Sequence, residues 1–109
     1  MISVKCLASG SAGNSYAVDD GKSVLLLEAG IRKRTILAGY MDLLMRVQGC
    51  LITHEHQDHA KAALGLPMAG IDVYASGGTF AALNAEKDRR NYRLHSIKAG
   101  EQFTLGTWT

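Results

Sequence analysis

The stretch Cys50-Leu51-Ile52-Thr53-His54-Glu55-His56-Gln57-Asp58-His59 decides how this chain is read. An apolar run leads straight into three histidines and an aspartate within six positions. The apolar part reads as the end of a buried strand, expected over Val47 to Thr53. In extended backbone the side chains alternate faces, so His54, His56 and Asp58 begin on one side while Glu55 and Gln57 point away. A turn into helix near Asp58 swings His59 round to join them. The cluster then offers two ligand pairs, His54 with His56 and Asp58 with His59. Imidazole and carboxylate suit zinc, and also manganese or iron, and no thiolate lies nearby to make a structural cysteine-type zinc site. The adjacent Asp58-His59 pair also fits a closed structural tetrahedron poorly. A solvated loop would collect this set at this spacing only by rare coincidence.

Upstream, Ile2 to Leu7 and Tyr16 to Val18 read as strands separated by a loop of small residues, Ala8 to Ser15. Asp19-Asp20-Gly21-Lys22 is a hairpin signal leading into an apolar strand over Ser23 to Glu28, stopped at Ala29-Gly30. The first third is thus a β-meander with one unusual loop. Helical stretches follow over Arg32 to Leu37 and Met41 to Arg46. Downstream of the histidines, Ala60 to Leu64 has helix propensity and ends at Gly65 and Pro67. Asp72 to Ala75 is a short strand, and Gly78 to Glu86 a helix capped by Ser76 or Thr79. Asn91 to Lys98 and Gln102 to Trp108 read as two more strands. The order is an α/β mixture, expected to build a mixed sheet flanked by helices. A final strand running to Thr109 would leave an edge wanting a partner, so the chain is expected to be cut short, or to self-associate through that edge.

The 109 residues make one domain, 1–109, with a modest core. The net charge of +2 is too small to imply nucleic-acid or membrane binding by itself. No apolar run approaches the roughly 20 residues of a membrane span, and Met1 leads into a strand-like segment with no secretory leader. Cys6 and Cys50 sit far apart in apolar runs and are expected as free, buried hydrophobes. These features read as a cytoplasmic, reduced setting with no membrane partner.

The run from Leu51 to His59 resembles the HxHxDH motif of the metallo-β-lactamase superfamily. Three flanking segments agree: Leu25 to Gly30 resembles the strand before that motif, Ser9 to Ser15 the first loop of the YycJ-like exonuclease branch, and Asp72 to Ala75 the short strand after the motif helix. The resemblance covers essentially all of the chain. It implies the N-terminal half of an αββα sandwich with a site for two divalent metals, zinc first and manganese or iron as alternatives. His54 and His56 would bind the first metal, and Asp58 and His59 the second. Water made acidic by the cations would be the nucleophile, with Asp58 orienting it as the catalytic residue. The family draws a further histidine, a bridging aspartate and a final histidine from its second half. Here His95 is the one histidine left, and it matches no family ligand. The family's strand motif ends in aspartate where this chain has Glu28, one methylene longer, which a shifted backbone would have to absorb.

The Ser9 to Ser15 loop has two readings. It can offer Ser11, Asn14 and its backbone N–H groups to a substrate phosphate, or it can be a tight turn that needs Gly10 and Gly13 for its shape. Arg32-Lys33-Arg34 and Lys87 to Arg90 with Arg93 can track a nucleic-acid backbone or form solvated helix faces. Phe80, Phe103 and Trp108 read as core. The favoured function is a metal-dependent hydrolase of phosphodiesters, nucleic acid included. A thioester or lactam hydrolase of the same fold is one alternative. A catalytically incomplete fragment that only binds metal or a partner is another.

Overall fold

In the computed structural model, which describes residues 1–83 and 91–109, the central element is a six-stranded sheet in sequential order. Its strands are β1 (Ser3–Ala8), β2 (Ser15–Asp19), β3 (Val24–Leu27), β4 (Val47–Leu51), β5 (Val73–Ser76) and β6 (Leu94–Ile97). The first three pair antiparallel, as the two tight connections between them require. From β3 onward all pairs are parallel, and each crossover carries helical structure. These crossovers contain α1 (Lys33–Gly39), α2 (Gln57–Ala60) and α3 (Gly77–Ala82).

Register explains the core. Lys5, Ala17, Leu26, Cys50, Val73 and Leu94 form one cross-strand row. Its middle four members are essentially inaccessible, packed with Ile36, Tyr40, Ala63, Leu66 and Phe80 from the crossovers. Central parallel strands are covered in this way and so lack polar alternation, as Val24 to Leu27 illustrates. The opposite row runs Cys6, Tyr16, Leu27, Leu51, Tyr74 and His95. Cys6 is therefore exposed on an edge strand, against expectation, while Cys50 is buried; both are free thiols. Burial pushes the Cys50 thiol far up.

Three expected elements come out differently. Residues 102–108 form no strand; Leu105 and Trp108 exchange backbone hydrogen bonds of 2.8 and 2.9 Å across a two-residue hairpin turn. Its first central residue, Gly106, has φ +61°, where a Cβ would sit 2.4 Å from Ser23 Oγ. The turn is tied back to the β2–β3 hairpin by Trp108 Nε1–H donating to Ser23 O at 2.9 Å. The expected open edge at this segment is thus closed upon itself. Phe103 and Trp108 are only half-buried, lining a shallow apolar groove with Leu25, Leu51 and Leu105. The helix expected over Ala60 to Leu64 instead starts at Gln57 and stops at Ala60, and Pro67 lies inside a 3₁₀ turn, Leu66–Ala69. The expected second helix near Met41 is a single 3₁₀ turn, Leu44–Arg46. Ser76 caps α3 as expected, its Oγ accepting from Thr79 N–H at 3.1 Å. The expected extension of that helix to Glu86, and the basic run Lys87 to Arg90, lie outside the described residues. No described helix is long and apolar enough to cross a membrane.

Candidate metal centre

The histidine cluster sits at the carboxyl ends of β3 and β4, where neighbouring parallel strands open a crevice. The chain leaves β4 at Leu51, passes through Ile52 to His56 in non-helical backbone, and turns into α2 at Gln57. His56 is the N-cap, in extended conformation, and its carbonyl accepts the N–H groups of His59 and Ala60, both at 2.9 Å. This turn folds the ligand set together. The His54 and His56 ring centroids lie 4.8 Å apart, and those of His54 and His59 4.0 Å apart. Ligand atoms of His54, His56 and Asp58 all fall within 4.8 Å of one another, as do those of Glu28, His54 and His59. His59 Nε2 faces Asp58 Oδ2 at 3.4 Å. The four residues expected to bind metal are therefore gathered in one place, partly open to solvent.

Glu28 organises them from behind. It is buried, 7% exposed, and directly follows β3. Its Oε1 accepts Thr53 N–H at 2.8 Å, and its Oε2 accepts the Thr53 hydroxyl at 2.7 Å and also His59 Nδ1. Thr53 Oγ1 lies 2.9 Å from His54 Nδ1. A hydroxyl has one proton, and here it goes to the carboxylate, so Oγ1 accepts from His54 Nδ1–H. His59 Nδ1 likewise donates to the carboxylate. Both imidazoles are thereby fixed as the tautomer that leaves Nε2 with a free lone pair, the arrangement a ligand histidine needs. The donor set and its supporting bonds fit a divalent cation.

Glu28 has φ +68°, in the left-handed region, and is the one non-glycine residue there among those described. That conformation costs about 1–2 kcal/mol. It is held by Glu28 N–H donating to Leu51 O at 2.8 Å.

Of the two readings of the small-residue loop, the bonds of Asn14 support the tight turn. Ser11 is exposed. Asn14 is 9% exposed, and its amide is engaged with Gly10, Tyr16 and the carbonyl of Asp58. Nor is His95 near the cluster: it stacks on Tyr74 and bonds Asp72 Oδ2 at 2.8 Å. Arg93 is committed to Asp72 Oδ1 at 2.7 Å, which removes it from the basic groups available to a ligand. Sequence reasoning missed Thr53, whose only signal is a hydroxyl next to the first histidine.

With this geometry in view, the comparisons fall into place. No family model matches the chain. It is 35% identical over 107 residues to "Exodeoxyribonuclease WalJ" of Streptococcus pneumoniae serotype 2, covering 92% of this chain and 40% of that protein. It is 38% identical over 82 residues to "Exodeoxyribonuclease YycJ" of Bacillus anthracis, covering 71% of this chain and 31% of that protein. Among solved structures, the BLEG-1 B3 metallo-β-lactamase superposes with a TM-score of 0.70 at 20% identity, over 96% of this chain and 57% of that one. The chain therefore has the metallo-β-lactamase fold, a mixed sheet with flanking helices. In sequence it is similar to the N-terminal portion of the YycJ-like branch. It spans about 40% of the length of the WalJ protein that it matches.

Proposed function

We propose that this chain carries the first part of the metal-binding set of a metal-dependent hydrolase, acting on phosphodiester bonds with nucleic acid as the substrate class. The observation that carries the proposal is the Glu28 network, which frees Nε2 of both His54 and His59 beside Asp58 and His56. In this reading His54 and His56 hold one divalent ion, zinc first among candidates with manganese or iron next, and Asp58 and His59 hold a second. Ions at such a site polarise a phosphoryl oxygen and lower the pKa of bound water. Glu28 has both oxygens committed, so its part is to hold His54 and His59 in one tautomer and orientation. Asp58 would also be the catalytic carboxylate, orienting an attacking water. The two relatives are named as exodeoxyribonucleases, which supports nucleic acid over a thioester or lactam. The free thiols support a reducing, cytoplasmic setting.

Four side chains are few for two ions, and the chain spans a minority of the length of its relatives. We therefore expect this chain alone to bind metal but hydrolyse slowly. The test uses the chain reconstituted with zinc, manganese or iron. Metal content is measured first, then hydrolysis of end-labelled single- and double-stranded DNA and of bis-p-nitrophenyl phosphate, with a thioester and a β-lactam as comparators. His56→Ala and Asp58→Ala should remove what activity there is. Variants as active as the parent would sink the site assignment, and faster turnover of the thioester or lactam would sink the substrate class.

A further inference from the structure

We propose that Asn14 is a positioning residue for the metal-ligand turn: it fixes the main chain at Asp58, and so the Asp58-His59 pair, instead of contacting substrate. The inference rests on the reading of His54, His56, Asp58 and His59 as metal ligands.

A helix leaves its last carbonyls without intrahelical partners, and an unpaired carbonyl away from water is costly. Because α2 stops at Ala60, Asp58 O and His59 O lose the partners that a longer helix would give them. The N–H of Ala62 goes to Ala29 O at 2.8 Å, and that of Ala63 to Ala60 O at 3.0 Å. Two groups from another part of the chain take their place. Ala29 N–H donates to His59 O at 2.7 Å, and Asn14 Nδ2–H donates to Asp58 O at 2.9 Å.

The rest of the Asn14 amide is occupied. Its second Nδ2 hydrogen goes to Gly10 O at 3.0 Å. Its Oδ1 accepts Gly10 N–H at 3.2 Å and Tyr16 Oη–H at 3.3 Å. An asparagine side chain has two donors and two acceptor positions, and all four are used. Nothing remains for a substrate phosphate. The backbone is equally tight: Gly30 N–H donates to Asn14 O at 2.9 Å, and a Cβ on Gly30 would lie 1.8 Å from Asp58 O and 2.8 Å from Asn14 N. Three segments thus meet in backbone contact, and Asn14 is the side chain that spans from the loop to the ligand turn.

The chemistry selects this residue. The side chain must give a hydrogen to Asp58 O while accepting one from Gly10 N–H. Aspartate of the same shape can only accept, and alanine does neither. Glu28 supports the rings of both His54 and His59, whereas the main chain of Asp58 and His59 is held by Asn14 and Ala29. Asn14 therefore sets the placement of the second pair relative to the first.

The experiment titrates the full chain with zinc by calorimetry and with Co(II), whose d–d absorption reports coordination geometry. Asn14→Asp keeps the acceptor bonds and loses both donors. It should weaken zinc binding about tenfold or more, the usual effect of removing support behind ligands, and should change the Co(II) envelope. Tyr16→Phe removes one bond to Oδ1 and leaves both donors, so zinc affinity should stay within about twofold. Val73→Ala, a fully buried core position on β5 that lies outside the ligand turn, measures how far affinity falls from lost global stability. The inference is overturned if Asn14→Asp binds both metals as the parent does, or loses no more affinity than Val73→Ala at a matched unfolding temperature. A parent chain that takes up neither metal overturns the metal reading itself and this inference with it. Metal uptake abolished by His54→Ala but unchanged in Asn14→Asp overturns the inference alone.

Discussion

At the scale of single residues, the site is a set of donors whose directions are fixed by other side chains. Thr53 shows this most simply. Its hydroxyl passes the Glu28 carboxylate's hold on to His54, so Thr53→Val, nearly the same shape, should leave the His54 ring free to turn. We expect about tenfold weaker zinc binding from Thr53→Val, with Thr53→Ser near parental, both read by calorimetric titration. An unchanged affinity in the valine variant would mean that Glu28 acts through His59 only. Gly30 is a second case. A Cβ there cannot coexist with Asp58 O at 1.8 Å, so the ligand turn must move. Gly30→Ala should cost about 1–3 kcal/mol or more in urea unfolding, and should lower metal affinity in parallel. His54, His56, Asp58 and His59 were legible from spacing alone, because alternation followed by a helical turn brings them to one side. Glu28 was visible as a departure from a family pattern, but its use was not: whether a longer arm reaches depends on a φ of +68° that no neighbouring residue announces. Asn14 had two readings, a phosphate contact or part of a tight turn, and the sequence left both open because its partner, Asp58 O, is supplied by a segment 44 positions away.

Elements were readable where the cause is local and misread where it is not. Ser76 caps α3 through a bond three residues along, which a serine before a helical run foretells. Ser76→Ala should cost about 1 kcal/mol of stability, measured by thermal unfolding. The early end of α2 has a distant cause, since Ala29 takes the N–H of Ala62 that would have continued the helix. The β2–β3 hairpin was visible in Asp19-Asp20-Gly21-Lys22, but its anchor was not. Arg46 grips Asp19 with two bonds of 2.7 and 2.8 Å from the end of the next crossover. That grip, with the Gly21 N–H, holds the Asp19 carboxyl at about 2, well below its usual range. A folded pKa below the unfolded one stabilises the fold above the unfolded value, near 4, and the contribution fades as pH falls toward about 2. Acid unfolding of Asp19→Asn should therefore show a flatter pH dependence between those limits than the parent. Equal slopes would assign the acid sensitivity to other carboxylates.

On the scale of the whole molecule, charge rather than shape decides how a nucleic acid would be drawn to the site. The net charge of +2 gives no general attraction, so binding must come from a local group. Arg93 is spent on Asp72, and Arg46 on Asp19. Arg32 and Arg34 are exposed, two and four positions after Gly30, whose backbone meets the ligand turn at Asp58. Lys33 between them has its side chain close to Gly65. If phosphodiesters are the substrate, Arg32 and Arg34 are expected to be among the cations that release counterions on binding. Each phosphate contact on a single strand contributes about 0.7 to the slope of log K against log salt. Replacing both Arg32 and Arg34 by alanine should thus weaken single-stranded DNA binding and flatten that slope by about 1.4. Fluorescence anisotropy across a salt series measures both quantities. A slope unchanged in the double variant would leave these arginines as a solvated face and move the DNA path to another side of the cluster.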